Sequence, residues 1–175
     1  MTTVTFLGDS ITHAFIALNN YPNVTNLAVS GNRVVNVIAS IREAKPINSD
    51  RIIILVGIND IMGNNGYWNN YYCPVYKAYD CLFESLNTLK KEIILLSVLP
   101  INSGVVEEGN VRNLNNQINE LNNYLKNNQY GYKYVSITNL FVDELGFLKK
   151  EYTFDGVHLT GEGYKKYLEG IKDLI

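Results

Sequence analysis

The chain has 175 residues, of which 46% are hydrophobic and 18% charged, and its formal net charge is -2. That length suits one domain able to bury roughly 70% of the surface its unfolded form exposes, and the residue balance is that of an ordinary globular core. Without a basic stripe to meet phosphates, nucleic acid is excluded as a substrate class.

Residues 1–7 are too short and too polar at the start to form a basic segment followed by an apolar one, so no secretory signal is read there. No run approaches the length of a membrane span. Cys73 and Cys81 are eight apart in a loop-to-helix stretch, too far along a helix axis for a disulfide, and are expected as reduced, packed thiols. The expected location is the cytoplasm.

Five apolar runs punctuate the chain: 4–7, stopped by Gly8; 24–29, ending at Ser30-Gly31; 51–56, ending at Gly57; 92–99, ending at Pro100; and 132–137. Runs that are apolar throughout, without polar alternation, predict strands covered on both faces, as in a parallel sheet between helices. Helical spacing fills the gaps. Val34, Val35, Ile38 and Ile41 mark a helix after the second strand, and Leu82, Phe83, Leu86 and Leu89 mark one before the fourth.

Leu114, Ile118, Leu121 and Leu125 form an apolar stripe that places Asn115, Asn116, Asn119, Asn122 and Asn123 on the wet side. A last helix begins near Gly161 and turns Tyr164, Tyr167, Leu168 and Ile171 inward. Strands alternating with helices give βαβ units, and right-handed crossovers make them a single three-layer α/β/α sandwich. The segment 63–72, rich in Asn, Tyr and Trp, reads as a loop on the ligand-binding edge of that sheet.

Ser10 lies just past the first strand in a turn opened by Gly8, which exposes its hydroxyl and sets its N–H at a helix start; alone, Gly8-Asp9-Ser10 reads as a helix cap, and the rest of the chain reverses that reading. The chain has two histidines. His158 follows Asp155 by three residues, so a turn can fold the carboxylate onto the imidazole, fix its tautomer and leave the other nitrogen to take a serine proton. His13 has no such neighbour and reads as a wall or surface histidine. Gly31 can offer a backbone N–H at close range, and the Asn59 amide can donate to a developing oxyanion, although an Asx-turn accounts for Asn59 or Asp60 as well. Asp9 and Asp60 are read as braces for their loops. In a parallel sheet these segments share the carboxyl edge, which unites them into one acyl-transfer site.

Gly8-Asp9-Ser10, the glycine of Ala28-Val29-Ser30-Gly31, Gly57-Ile58-Asn59-Asp60 and Asp155-Gly156-Val157-His158 resemble, in order, the four blocks of the SGNH (GDSL-type) hydrolases. The resemblance covers nearly the whole chain. It implies a five-stranded parallel sheet of flavodoxin-like type, Ser10 as nucleophile, His158 as base, Asp155 as its orienting partner, and Ser10, Gly31 and Asn59 as the oxyanion hole, with no metal or cofactor.

The stretches Ser97-Val98-Leu99-Pro100-Ile101-Asn102 and Tyr152-Thr153-Phe154-Asp155 through Gly163-Tyr164 look like the compact acetylhydrolases related to platelet-activating-factor acetylhydrolase and to sialate and glycan O-acetylesterases. They imply a small-molecule or glycan ester as partner, with a short acyl group. A thioester or lysophospholipid substrate, and a non-catalytic glycan-binding module, are the alternatives. His13, Tyr67, Trp68 and Val157 are the expected substrate contacts.

Overall fold

A computed structural model describes residues 1–43, 47–67 and 74–175. Five strands, β1 (Val4–Gly8), β2 (Val24–Asn26), β3 (Arg51–Leu55), β4 (Glu92–Leu96) and β5 (Lys133–Val135), form one sheet in the order β2-β1-β3-β4-β5. Every pairing is parallel. All five predicted strands are present; β1 extends through Gly8, and the other four are shorter than their apolar runs, which continue beyond the ladder. Past β2, for example, Leu27 and Val29 still donate to the carbonyls of Phe6 and Gly8, so the extended chain reaches Ser30 in less regular form.

Side-chain alternation explains the layers. Ile52, Ile54, Ile93 and Leu95 face one core with helices α2 (Val34–Glu43), α3 (Ile58–Asn64), α4 (Val75–Asn87) and α5 (Glu108–Lys126). Ile53, Leu55, Ile94 and Leu96 face the other, closed by α1 (Ser10–His13), α6 (Gly161–Ile171) and the aromatic residues Phe15 and Phe141. Since both faces are covered, strand residues are apolar in succession, as in parallel sheets generally. Among the described residues no helix is long and apolar enough to cross a membrane.

Three expectations are corrected. The residues after β3 are not a loop at first: Asn59, Asp60 and Gly63 lie in α3, a helix whose residues 58–63 are all buried, so its short sequence shows no polar face to signal it. Asn115 and Asn122 are not on the wet side of α5 but buried in it. Asn122 accepts from Val98 N–H (2.8 Å) and donates to Val98 C=O (2.9 Å), while Asn115 does the same for Ile101 at 2.9 Å and 2.9 Å. The chain after β4 has left the ladder, and the two amides satisfy backbone groups that would otherwise be buried without partners. Cys81 is exposed rather than packed; Cys73 lies outside the described residues.

Candidate active site

The order β2-β1-β3 creates a reversal: the chain steps from β1 outward to β2, then returns past β1 to β3. At such a point the loops after neighbouring strands diverge and leave a crevice at their carboxyl ends. Ser10 follows β1 there. Asp9 caps α1 by accepting from Ile11 N–H at 3.0 Å, which fixes Ser10 as the first residue of the helix, largely buried.

From the far end of the chain, the turn 153–158 brings in the other partners. Ser10 Oγ lies 2.9 Å from His158 Nε2, and His158 Nδ1 lies 2.6 Å from Asp155 Oδ2. Asp155 Oδ1 accepts from the N–H groups of Val157 (2.9 Å) and His158 (2.7 Å). Burial works against the charge on Asp155, but these hydrogen bonds, first that of the His158 side chain, outweigh it and hold the carboxyl below its ordinary range. A carboxylate kept charged against one ring nitrogen leaves the other to act on the Ser10 hydroxyl.

The turn itself is fastened from both sides. Thr153 Oγ1 donates to His158 C=O (2.7 Å) and accepts from Gly156 N–H (2.8 Å). Asn102 N–H donates to Gly156 C=O and Val105 N–H to Asp155 C=O, both at 2.8 Å. Gly104 and Gly156 make this approach possible: a Cβ on Gly104 would collide with the Asp155 carbonyl, and one on Gly156 with the Asn102 carbonyl.

The predicted oxyanion donors follow the neighbouring strands, Gly31 after β2 and Asn59 after β3. Gly31 has φ +81°, a left-handed backbone with open space where a Cβ would stand, so its conformation rather than crowding selects glycine. Asn59 Nδ2 donates to Asn32 C=O at 2.9 Å, and Asn32 Nδ2 donates to Gly8 C=O at 3.2 Å. Asn32 thus ties together the end of β1, the loop after β2 and the start of α3. One amide hydrogen of Asn59 is committed to Asn32, which orients the group and leaves its second hydrogen to donate elsewhere.

Two buried carboxyls support these loops from beneath. Asp60 accepts from Val34 N–H at 3.1 Å, bracing the start of α2. Burial pushes Asp60 up to about 6, against the pull of Val34 N–H and the Arg33 guanidinium. Asp9 is wholly buried, its Oδ2 has no hydrogen-bond partner among the described residues, and burial with a smaller contribution from Asp60 pushes it up to about 7.

Of the expected substrate contacts, Val157 is buried beside the base. It lines, with Ile11, Leu55, Ile58 and residues 98–101, an apolar void of about 10 Å³, the room of one water or methyl group. Ile11, Ile58 and Val157 are the chain neighbours of Ser10, Asn59 and His158. Two roomier hollows, of about 400 and 470 Å³, are lined by other residues, among them Thr3, Thr5 and Ser49 in one and Asn119, Tyr134 and Asn139 in the other, and include none of these groups. His13 is exposed, with Nδ1 2.9 Å from Ala28 C=O. Tyr67 packs partly buried against the core around α2 to α5, and Trp68 lies outside the described residues.

Sequence reading missed two neighbours of the site. Asn32 carried a signal only in standing next to Gly31. Phe154 carried one in standing next to Asp155: the residue is 73% exposed and its ring stacks on His158, with centroids 6.0 Å apart and planes at 17°.

Comparison with known proteins agrees with this arrangement of elements. The model of the GDSL-like lipase/acylhydrolase family matches residues 6–166. An N-acylneuraminate cytidylyltransferase of Escherichia coli O18:K1:H7 (strain RS218 / NMEC) is 30% identical over 124 residues, which are 71% of this chain and 28% of that protein. The chain therefore spans little more than a quarter of that curated relative. A GDSL-like lipase of Bacteroides thetaiotaomicron superimposes with a TM-score of 0.72 at 25% identity, covering 99% of this chain and 87% of the other. An acetyl xylan esterase of Geobacillus stearothermophilus gives a TM-score of 0.71 at 18% identity, covering 99% and 94%, a likeness of fold.

Proposed function

This chain belongs to the GDSL-like lipase/acylhydrolase family, and on that premise we propose that it is a serine esterase removing short acyl groups, acetyl above all, from a carbohydrate or other small alcohol. The observation that carries the proposal is the unbroken hydrogen-bonded run from Ser10 Oγ through His158 to Asp155. Ser10 attacks the ester carbonyl as His158 Nε2 takes its proton, and Asp155 stabilises the imidazolium so formed. The oxyanion is met by the N–H groups of Ser10 and Gly31 and by the free amide hydrogen of Asn59. His158 returns the proton to the leaving alcohol. A water activated by the same imidazole then releases the acid and frees Ser10.

What supports a short acyl group is the apolar void lined by Ile11, Ile58 and Val157, the chain neighbours of Ser10, Asn59 and His158, whose room is that of one methyl. Acetyl fits it without disturbing Leu55 or Leu99, whereas a longer chain must displace buried side chains, at a cost of roughly 1–3 kcal/mol for overfilling a packed site. The test compares acetyl with decanoyl p-nitrophenyl esters, with Ser10→Ala as control. Activity on acetyl that vanishes in the variant supports the proposal; preference for decanoyl overturns the acyl assignment in favour of a lipid or thioester substrate. Undiminished activity in Ser10→Ala overturns the mechanism.

A further inference from the structure

Phe154 has no part in the reaction as written, yet it lies flat against the group that drives it. Phe154 is 73% exposed, and its ring lies 17° from parallel to the His158 imidazole with centroids 6.0 Å apart. Its backbone is not free to swing it elsewhere: Thr153 and Gly156 on either side are hydrogen-bonded to each other, and Asp155 is held by Val105 and by His158. A large apolar ring is therefore fixed at the mouth of the site, in water, on the base.

The direction of proton transfer says what that ring can touch. The leaving oxygen must come within hydrogen-bond reach of His158 Nε2 to receive the proton, roughly 3 Å away. In the esterase reading the carbonyl oxygen is met by Gly31 and Asn59, which follow β2 and β3. The acyl methyl has its own void, lined by Ile11, Ile58 and Val157. The side of the site that Phe154 borders is thus left to the alcohol.

We propose that Phe154 is a specificity-determining wall for the leaving alcohol, and that the alcohol it selects is a saccharide ring, laid with its C–H face on the phenyl and its acetylated oxygen at His158. This rests on the esterase reading above. A pyranose presents a flat apolar face of several C–H groups with hydroxyls at the rim, so it can cover an exposed phenyl while its polar groups stay in water. An ethyl or methyl alcohol is too small to reach both the base and the ring. Since the wall acts only on substrates that extend that far, its effect must depend on the leaving group.

The experiment measures kcat and KM of wild type, Phe154→Ala and Phe154→Trp on ethyl acetate and on a peracetylated xylobiose, with Ser10→Ala and His158→Ala as controls and thermal melting to confirm folding. The expected result is a loss of about tenfold in kcat/KM on the saccharide for Phe154→Ala, carried mainly by KM, as removal of one aromatic contact implies. Hydrolysis of ethyl acetate should change less than about twofold, and Phe154→Trp should restore the saccharide rate. Equal losses on both esters would show Phe154 acting on the base alone and overturn the proposal, as would no loss on either, a failure of Trp to restore, or a wild type inactive on the saccharide. Persistence of ethyl acetate hydrolysis in Ser10→Ala or His158→Ala would instead overturn the esterase reading itself.

Discussion

Replacing Asp9 by asparagine removes a carboxyl that the fold holds in an unfavourable place, and the effect can be worked out from its surroundings. Asp9 is fully buried, Oδ1 accepts from Ile11 N–H, and Oδ2 has no partner among the described residues. Burial, aided by Asp60, raises it from an ordinary value of 3.8 to about 7. Between those limits the unfolded chain gives up the proton while the folded protein keeps it, so the folded state binds more protons and stability falls as pH rises. The contribution is fully present below about pH 4, is lost through the window up to about pH 7, and is flat above it.

At about 1.36 kcal/mol per pH unit the loss amounts to about 4 kcal/mol, to order of magnitude. In Asp9→Asn the amide oxygen can still accept from Ile11 N–H, so the cap is retained, and the side chain carries no charge to desolvate. Counting a buried amide NH2 without an acceptor at up to about 2 kcal/mol at every pH, the variant should lie about 0–2 kcal/mol below wild type near pH 4 and about 2–4 kcal/mol above it at about pH 8. Asp60, itself pushed up to about 6, contributes to any slope that the variant retains. Urea unfolding of both proteins across that pH range reads the difference. Curves that run parallel, or a variant less stable than wild type at the alkaline end, would refute the reasoning.

Asn59→Ala should lower kcat on acetyl esters by about 10² to 10³ with little change in KM, since the amide acts on the oxyanion and not on the ground-state ester; steady-state kinetics at one pH decides it. Leu99→Ala, which opens the void, should raise the butyryl-to-acetyl ratio of kcat/KM by roughly tenfold, from about 0.8 kcal/mol for each added methylene that finds room. An unchanged ratio would separate that void from the acyl group. Asn122→Ala leaves Val98 N–H and C=O buried without their partners and should destabilise by about 2–4 kcal/mol, measured by denaturant unfolding.

What the sequence discloses follows from how local each cause is. Strands covered on both faces announce themselves as apolar runs, and the reversal in strand order then gathers Ser10, Gly31, Asn59 and His158 at one edge. Asp155 beside His158 is legible because three residues and a glycine suffice to fold one onto the other. Helix α3 was hidden because burial on all sides removes the polar face by which a helix is recognised. The inward turn of Asn115 and Asn122 was hidden because its cause is a non-local one, the unpaired backbone of Val98 and Ile101. Phe154 looked like any aromatic residue until its ring was found on the imidazole, a relation set by side-chain torsions rather than by spacing.

The close approach of Gly104 to Asp155 and of Gly156 to Asn102 links the durability of the base to that of the sheet interior. Because Asn102 and Val105 donate to the turn that carries Asp155 and His158, and Asn115 and Asn122 secure the same segment to α5, the turn cannot open without unfastening the chain after β4. Segments that open together exchange their amide hydrogens together. The N–H groups of Asn102, Val105, Val157 and His158 should therefore share one rate of hydrogen exchange, far slower than that of an ordinary surface turn, and heat should abolish the base and this segment in a single event.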